Sequence, residues 1–223
     1  MITRELIDTA QIPGGDELKL YRHDRDFMIV LDHNELMSTR KWGSEEALAT
    51  MAIDRIKGEP QPNILIGGYG MGFTLRAALR NLPADATVTV VELMPEILEW
   101  ARGPMAELTG DCLDDPRVRV LQSDVSWAIA AGEQEYDAIL LDVDNGPDGL
   151  VREDNNLLYS GTGLRAARMA LTPGGVLAIW SAGPDPAFRR RLEKNRFIVD
   201  EVKVAARSNG KGAKHVIWFA TPA

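Results

Sequence analysis

The sequence predicts an α/β fold, a doubly wound sheet of mainly parallel strands whose last strand is antiparallel. From residue 63 onward, short apolar runs rich in Val, Ile and Leu alternate with segments that have helical spacing. Continuous apolar runs of this kind are typical of parallel strands that helices cover on both faces. The last two apolar runs, 197–207 and 215–222, are joined by the short glycine-containing segment 208–214. That connection indicates an antiparallel hairpin at the end of the chain.

The parallel strands are expected where the apolar runs are continuous. They are predicted at 64–67, 87–92, 118–122, 137–142 and 175–180. Helices are predicted after them at 73–82, 94–105, near 126–131, 161–171 and 185–195. Because every strand is followed by a helix, the order predicts a doubly wound sheet.

The residues before this pattern look different. Two partly alternating runs, 17–22 and 26–32, predict a small β-hairpin. The segment 43–58 has helical spacing, with Ser44 as its expected N-cap. We therefore expect a small N-terminal β-hairpin and helix over 1–58, followed by the main α/β domain over 59–223.

Composition excludes several classes of function. The chain has 223 residues, is 45% hydrophobic and carries a formal net charge of -8, which disfavours binding to nucleic acid. No apolar run approaches the roughly 18 residues that span a bilayer, and the N-terminus lacks the apolar stretch of a secretory signal. The single cysteine, Cys112, suits a reducing compartment. We expect a cytoplasmic protein that binds neither nucleic acid nor membrane.

Four glycines lie at the end of the first parallel strand and directly after it, where ligands of such sheets bind. Gly67, Gly68, Gly70 and Gly72 allow tight turns and the close approach of a ligand. Phe73 stands where a dinucleotide fingerprint would need its last glycine, so a pyrophosphate site is disfavoured. A tight strand–helix turn without a ligand is the alternative.

Acidic residues end the next three strands. Glu92 is expected to accept both hydroxyls of a ribose, with Leu93 beside it; an ordinary solvated glutamate is the alternative. Asp124 is expected to accept the amine of an adenine, with Val125 against the ring, and can also cap a helix. Asp142 is expected where the tail of the nucleotide meets an acceptor. Together these residues predict a sulfonium nucleotide site.

The motifs at these positions resemble those of class I S-adenosylmethionine-dependent transferases, and within them the spermidine synthase family. They are GGYGMG (67–72) followed by TLR (74–76), VVE (90–92), DPRVRVLQSD (115–124), YDAILLD (136–142) and LYSGTGLRAARMALTPGG (158–175). The resemblance implies the Rossmann-like class I methyltransferase sheet, preceded by a small N-terminal β element. It also implies S-adenosylmethionine or decarboxylated S-adenosylmethionine as the bound nucleotide, a small-molecule acceptor and a homodimer.

The chain departs from the family at several acidic positions. The glycine loop has no carboxylate, and Asn145 stands at the second aspartate of the family's D-x-x-D. Met37 replaces a donor-binding glutamine. The family's Y-H-E becomes Ser44-Glu45-Glu46, in which only Glu46 matches.

The candidate catalytic residues lie after the fourth parallel strand. Asp142 and Asp144 could hold or accept a proton from an amine acceptor, and Asn145 is a candidate beside them. The segment DNGPDG is also typical of an ordinary turn. Tyr159 could point its hydroxyl at the pocket or be a core aromatic. No metal site is predicted, because His23 and His33 lack ligand companions.

These observations leave three functions open. Methyl transfer to a small molecule is the first expectation, because about half of the carboxylates that a polyamine would need are missing. Aminopropyl transfer to a diamine is the second, and a non-catalytic S-adenosylmethionine-binding module is the third. The segment Lys211–His215 could bind an acidic group of a substrate or be a solvated loop.

Overall fold

Residues 4–12, 15, 17–143 and 155–223 are described by the structure, a computed structural model. They form a four-stranded antiparallel sheet and a seven-stranded, mainly parallel sheet. The doubly wound α/β architecture with an antiparallel last strand, predicted from the sequence, is confirmed.

The N-terminal sheet is larger than the predicted hairpin. Its strands, in the order in which they pair, are β1 (Glu5–Gln11), β2 (Glu17–His23), β3 (Asp26–Leu31) and β4 (Asn34–Ser38). The predicted hairpin is β2–β3, but β1 and β4 flank it as well. Both flanking strands are edge strands with mostly exposed or half-buried residues, so neither has the apolar run that identifies a strand.

The main sheet has the strand order β10-β11-β9-β8-β5-β6-β7. Its strands are β5 (Asn63–Gly67), β6 (Thr87–Glu92), β7 (Val118–Gln122), β8 (Tyr136–Leu141), β9 (Leu171–Ser181), β10 (Phe197–Ala205) and β11 (Lys214–Pro222). Strands β5 to β9 are parallel, and β11 lies antiparallel between β9 and β10. The chain winds outward in both directions from the β5–β8 pair, and ligands bind beside such a switch point at the carboxyl ends of the strands.

Helices cover both faces of this sheet. They are α1 (Gly43–Arg55), α2 (Phe73–Asn81), α3 (Pro95–Arg102), α4 (Ala106–Thr109), α5 (Val125–Ala131), α6 (Asn155–Leu158), α7 (Gly161–Ala170) and α8 (Pro186–Lys194). The single helix predicted over 94–105 is interrupted after Arg102, where Gly103 has non-helical dihedral angles. None of the helices in the described ranges is long and apolar enough to cross a membrane.

The start of α1 differs from the prediction. The helix begins at Gly43, and the Ser44 side chain does not cap it. The Gly43 amide instead donates to the Ala206 carbonyl over 2.9 Å, next to the end of β10. A Cβ on Gly43 would lie 2.5 Å from backbone atoms of Arg207 and Ser208, so this close approach requires glycine. The first turn of α1 is thereby fixed beside the carboxyl ends of the strands.

Apolar side chains fill the space on both sides of the main sheet. On one face, Ile64 and Ile66 share a buried cluster with Leu20 and Ile29 of the N-terminal sheet. On the other face, Leu65 packs with residues of α5 and α7. The N-terminal sheet therefore packs against the main domain on the side of α1 and α2. A domain boundary between residues 58 and 59 stays a prediction.

Candidate functional site

A cavity of about 140 Å³ lies at the carboxyl ends of β5, β6 and β8. The N-terminal sheet forms one wall with Leu18, Ile29, Leu36 and Met37. The opposite wall is made by polar and apolar residues that follow the strands of the main sheet. They are Gly68, Gly70, Val91, Glu92, Leu93, Met94, Ser123, Asp124, Val125, Asp142 and Val143. The cavity thus joins most of the residues predicted to bind a nucleotide.

The glycine loop needs glycine for conformation and for space. Gly68 and Gly70 line the cavity with φ angles of 85° and 56°. A Cβ on Gly68 would lie 2.5 Å from the Asp142 carbonyl oxygen, and one on Gly70 would lie 2.7 Å from the Met37 sulfur. Gly67 and Gly72 are not among the described residues that line the cavity; Gly72, with a φ of 77°, precedes α2.

Glu92 is buried at the end of β6, and each of its carboxylate oxygens accepts from a backbone amide. Its two carboxylate oxygens accept hydrogen bonds of 2.8 Å from the Tyr69 amide and 2.9 Å from the Met94 amide. Burial raises the pKa of this carboxyl, while the amide hydrogen bonds act in the opposite direction. The residue therefore holds the glycine loop against β6 and presents its carboxylate to the cavity.

Asp124 follows β7 and combines a cap with a place in the cavity wall. One of its carboxylate oxygens accepts a 2.8 Å hydrogen bond from the Ser126 amide and so caps α5. Leu93 and Val125 also line the cavity, and a Cβ on Gly67 would lie 2.8 Å from Val125. The cap, one of the two roles expected for Asp124, is present; contact with an adenine stays a prediction.

Asp142 is the buried carboxylate at the end of β8, with a side chain that is 9% exposed. The Thr74 hydroxyl donates to one of its oxygens over 2.7 Å. Burial raises the pKa of Asp142 to about 6, although the Thr74 hydrogen bond lowers it. Asp142 lines the main cavity and also a smaller one behind it.

The smaller cavity contains an acidic residue that the sequence did not single out as a site residue. Its volume is about 10 Å³, the space of one water-sized group, and Glu45 of α1 lines it opposite Asp142. Burial, and then the negative charge of Asp142, raise the pKa of Glu45 to about 8. At neutral pH this pair therefore shares one proton and one negative charge.

A chain of hydrogen bonds leads from Glu45 away from the cavity. The Ser44 hydroxyl lies 2.7 Å from a carboxyl oxygen of Glu45 and 2.9 Å from Nδ1 of His215 at the start of β11. The His215 ring also packs edge-on against Trp180, with ring centroids 4.8 Å apart. Burial, and then the charge of Lys41, lower the pKa of His215. Three polar residues from two distant segments thus meet behind the cavity.

The remaining predicted residues lie elsewhere. Asp144 and Asn145 fall outside the described residues. Tyr159 is 1% exposed and packs edge-on against Phe188, with centroids 5.5 Å apart, within the core on the other face of the sheet. The ring thus takes the core position that the sequence left open as the alternative, and Tyr159 is not among the described residues that line either cavity. Lys211 and Lys214 are exposed.

All charged side chains that line the two cavities in the described part of the chain are acidic. Glu45, Glu92, Asp124 and Asp142 line the two cavities, whereas no Lys or Arg in the described part of the chain does so. Within that part of the chain, no group of three or more potential metal ligands is found either. The site therefore suits a nucleotide that carries positive charge at one end.

Comparison with protein families identifies the family of this chain. The spermine/spermidine synthase domain matches residues 43–221. The chain belongs to the spermine/spermidine synthase family. This match confirms the resemblance found in the sequence motifs.

Individual relatives agree with the family. The chain is 33% identical over 127 residues to polyamine aminopropyltransferase 1 of Streptomyces coelicolor, a match that covers 56% of this chain and 23% of that protein. It is 30% identical over 172 residues to the polyamine aminopropyltransferase of Mycobacterium tuberculosis, covering 75% of this chain and 31% of the relative. The chain thus spans less than a third of the length of these two relatives.

A solved structure shows the same fold. A spermidine synthase in complex with the transition state analogue AdoDATO superposes with a TM-score of 0.75 at 19% sequence identity. The superposition covers 98% of this chain and 72% of that one. The small antiparallel sheet is included in this likeness, as the sequence resemblance implied.

Proposed function

We propose that this protein is an aminopropyltransferase, which moves the aminopropyl group of decarboxylated S-adenosylmethionine to an amine. The observation that carries the proposal is that the charged residues lining the two cavities are acidic. Asp142 and Glu45 line the smaller cavity, where the tail of the donor would meet the acceptor, and no described cationic side chain lines either cavity. Ammonium groups on donor and acceptor would find acidic partners there.

The same charge disfavours the α-carboxylate of ordinary S-adenosylmethionine. A donor carboxylate beside Asp142 would be buried next to a like charge and without a cationic partner from the described lining. Methyl transfer, the first expectation from the sequence, is therefore the weaker candidate. Both the family match and the names of the relatives support aminopropyl transfer, the second expectation.

An enzyme is also favoured over a binding module by the state of Asp142. No Lys or Arg in the described ranges forms an ion pair with this carboxylate, and only the Thr74 hydroxyl donates to it. A carboxylate that served structure alone would be expected to have its second oxygen paired as well. Its free oxygen is consistent with a role toward a substrate.

Different residues of the cavity would bind the nucleotide and orient the attacking amine. The carboxylate of Glu92 would accept from the ribose hydroxyls, and Asp124 and Val125 would hold the adenine. The glycine loop allows the nucleotide to approach β5 without a clash. Asp142 would hold the attacking amine in line with the carbon next to sulfur. Because the leaving group is a neutral thioether, alignment and removal of a proton from the amine are the main tasks.

Product analysis tests this proposal. The protein is incubated with decarboxylated S-adenosylmethionine and with 1,3-diaminopropane, 1,4-diaminobutane or a triamine, and the products are identified by mass spectrometry. We expect equal amounts of 5′-methylthioadenosine and of an amine that has gained one aminopropyl group. The variant Asp142→Asn should lose turnover by about 100-fold or more, the scale of a positioned acid or base. Methylated product from ordinary S-adenosylmethionine, or no aminopropyl product, would reject the proposal. Cytoplasmic location and a homodimer stay predictions.

A further inference from the structure

The small cavity behind the nucleotide site has the features of an amine pocket with its own proton acceptor. Glu45 and Asp142 line it together, and it has space for one small polar group. Asp142 is more than nine-tenths buried, and one of its oxygens receives no hydrogen bond from the described N–H and hydroxyl groups. Because Asp142 lines the cavity, an ammonium group that bound there could donate to this second oxygen.

Glu45 differs from Asp142 because hydrogen bonds connect it, through Ser44, to a partly exposed histidine. The Ser44 hydroxyl bridges its carboxyl to Nδ1 of His215, with distances of 2.7 Å and 2.9 Å. Ser44 is fully buried, whereas His215 is only partly buried and follows the exposed Lys214, the first residue of β11. A serine hydroxyl can donate on one side and accept on the other, so this arrangement can reverse its direction as Glu45 gains or loses a proton.

We propose that Glu45 exchanges a proton with the amine that binds beside Asp142, and that Ser44 and His215 position its carboxyl and lead that proton to solvent. This role rests on the proposed aminopropyl transfer. Glu45 would be a catalytic residue because its carboxyl lines the cavity that receives the amine, while Ser44 and His215 are positioning residues.

The chemical step balances with one proton released. The ammonium group of the acceptor gives one proton to the Glu45 carboxylate and becomes a neutral amine. Its lone pair then forms a bond to the carbon next to sulfur, and the carbon–sulfur bond breaks with its electrons on sulfur. The product is a secondary ammonium ion and a neutral thioether. The proton on Glu45 leaves through Ser44 and His215, which restores the carboxylate.

Charged groups from several elements face Glu45 and His215. The charged groups that face them are Asp142 of β8, Glu46 of α1 and Lys41. Glu46 is itself paired with Arg76 over 2.8 Å and with Arg80 over 3.5 Å. In the empty pocket, burial raises the pKa of Glu45 to about 8, so it holds a proton at pH 7. A bound ammonium group would favour its ionised form.

Proton release on amine binding tests the role of Glu45 without turnover. 1,4-Diaminobutane is titrated by calorimetry into the protein with 5′-methylthioadenosine, at pH 7, in two buffers of different ionisation enthalpy. We expect the wild type to release about one proton per amine bound and Glu45→Gln to release almost none. The matched variant Glu133→Gln, which removes the same charge from an exposed position, should behave as the wild type. Equal release by wild type and Glu45→Gln, or no binding of the diamine by the wild type, would overturn the proposal.

The positioning role of Ser44 has its own readout. The Ser44 hydrogen bond lowers the pKa of Glu45. In Ser44→Ala, we expect the pH midpoint of proton release to rise by about 0.5–1 unit, the size of one lost hydrogen bond. Ser44→Thr, which keeps the hydroxyl, should restore the midpoint. An unchanged midpoint in Ser44→Ala would overturn the positioning role.

Measurements of turnover distinguish a failure of the role proposed for Glu45 from a failure of the proposed aminopropyl transfer. In an active enzyme, Glu45→Gln should lower kcat by about 100-fold or more while donor affinity changes less than about threefold. A loss confined to KM would overturn the catalytic role of Glu45. If the wild type shows the expected proton release but forms no aminopropyl product, the proposed function fails and the proton exchange at Glu45 stands.

Discussion

The hydroxyl of Thr74, in the first turn of α2, donates a 2.7 Å hydrogen bond to the Asp142 carboxylate at the end of β8. Both side chains are almost fully buried. The bond connects the helix that follows the glycine loop to the strand that carries the acidic end of the site. It is the one hydroxyl or amide donor to Asp142 among the described residues, so it fixes which oxygen remains free for a substrate.

Removal of this hydroxyl should therefore affect both stability and the site. Thr74→Val keeps the shape of the side chain but leaves Asp142 with no described hydrogen-bond donor. We expect a loss of about 1–3 kcal/mol in the free energy of unfolding at pH 8, measured by urea denaturation. Thr74→Ser, which retains the hydroxyl, is the control. Equal stability of the valine variant and the wild type would show that the hydrogen bond contributes little.

Glu92 should control affinity for the donor nucleotide. In Glu92→Gln, the amide group cannot accept from both backbone N–H groups that the carboxylate now engages. We expect binding of decarboxylated S-adenosylmethionine to weaken by about 10- to 100-fold, from the loss of hydrogen bonds to a charged group. Calorimetry measures the affinity, and Glu133→Gln serves as the control. Unchanged affinity would remove Glu92 from the binding site.

The glycine loop offers a matched pair of substitutions. Gly70 and Gly210 both have positive φ angles, of 56° and 77°, but a Cβ on Gly70 would lie 2.7 Å from the Met37 sulfur, whereas one on Gly210 meets nothing within 4 Å. Both Gly→Ala variants should lose about 1 kcal/mol of stability from backbone strain. Only Gly70→Ala should also weaken nucleotide binding, by about 10-fold or more, because Met37 must move into the cavity. Equal affinity of the two variants would contradict this account of the loop.

The acidic pair should make the protein less stable as the pH rises. The folded-state pKa values of Asp142 and Glu45, about 6 and about 8, lie above the ordinary values of 3.8 and 4.5. The folded state thus holds these protons more tightly, and the stability that results below about pH 4 is lost as the pH rises through 6 to 8. For Asp142 alone the change is on the order of 3 kcal/mol.

Urea denaturation at pH 5 and pH 8.5 measures this effect. The double variant Glu45→Gln/Asp142→Asn should show a smaller decrease in the free energy of unfolding between these pH values than the wild type. The same decrease in both proteins would show that the pair does not titrate with raised pKa values.

Much of the main sheet could be predicted because its strands are continuous apolar runs. Strands such as 64–67 and 87–92 leave little choice between buried strand and loop, and the residues that follow them fall at the binding edge by the geometry of the fold. Glu92, Asp124 and Asp142 line the cavity at this edge, as their positions after the strands predict. Edge strands β1 and β4 carry no such signal, since most of their residues are exposed or half-buried.

Glu45 was missed as a site residue for a different reason. In the sequence, Ser44-Glu45-Glu46 is typical of an ordinary first helical turn, where acidic residues are favoured by the helix dipole. Tertiary contacts, such as those of Gly43 with Ala206 and of Ser44 with His215, bring this turn beside β11. Tyr159 is the opposite case. It lies close in sequence to the predicted acidic residues after β8, but its ring lies in the core and not in the cavity.

The preference between two donors tests the central claim most directly. Wild-type protein is titrated by calorimetry with decarboxylated and with ordinary S-adenosylmethionine under the same conditions. Because the described lining of both cavities is acidic and lacks Lys and Arg, we expect the decarboxylated donor to bind at least about 10-fold more tightly. Equal affinity, or tighter binding of the donor that carries the carboxylate, would contradict the assignment of aminopropyl transfer.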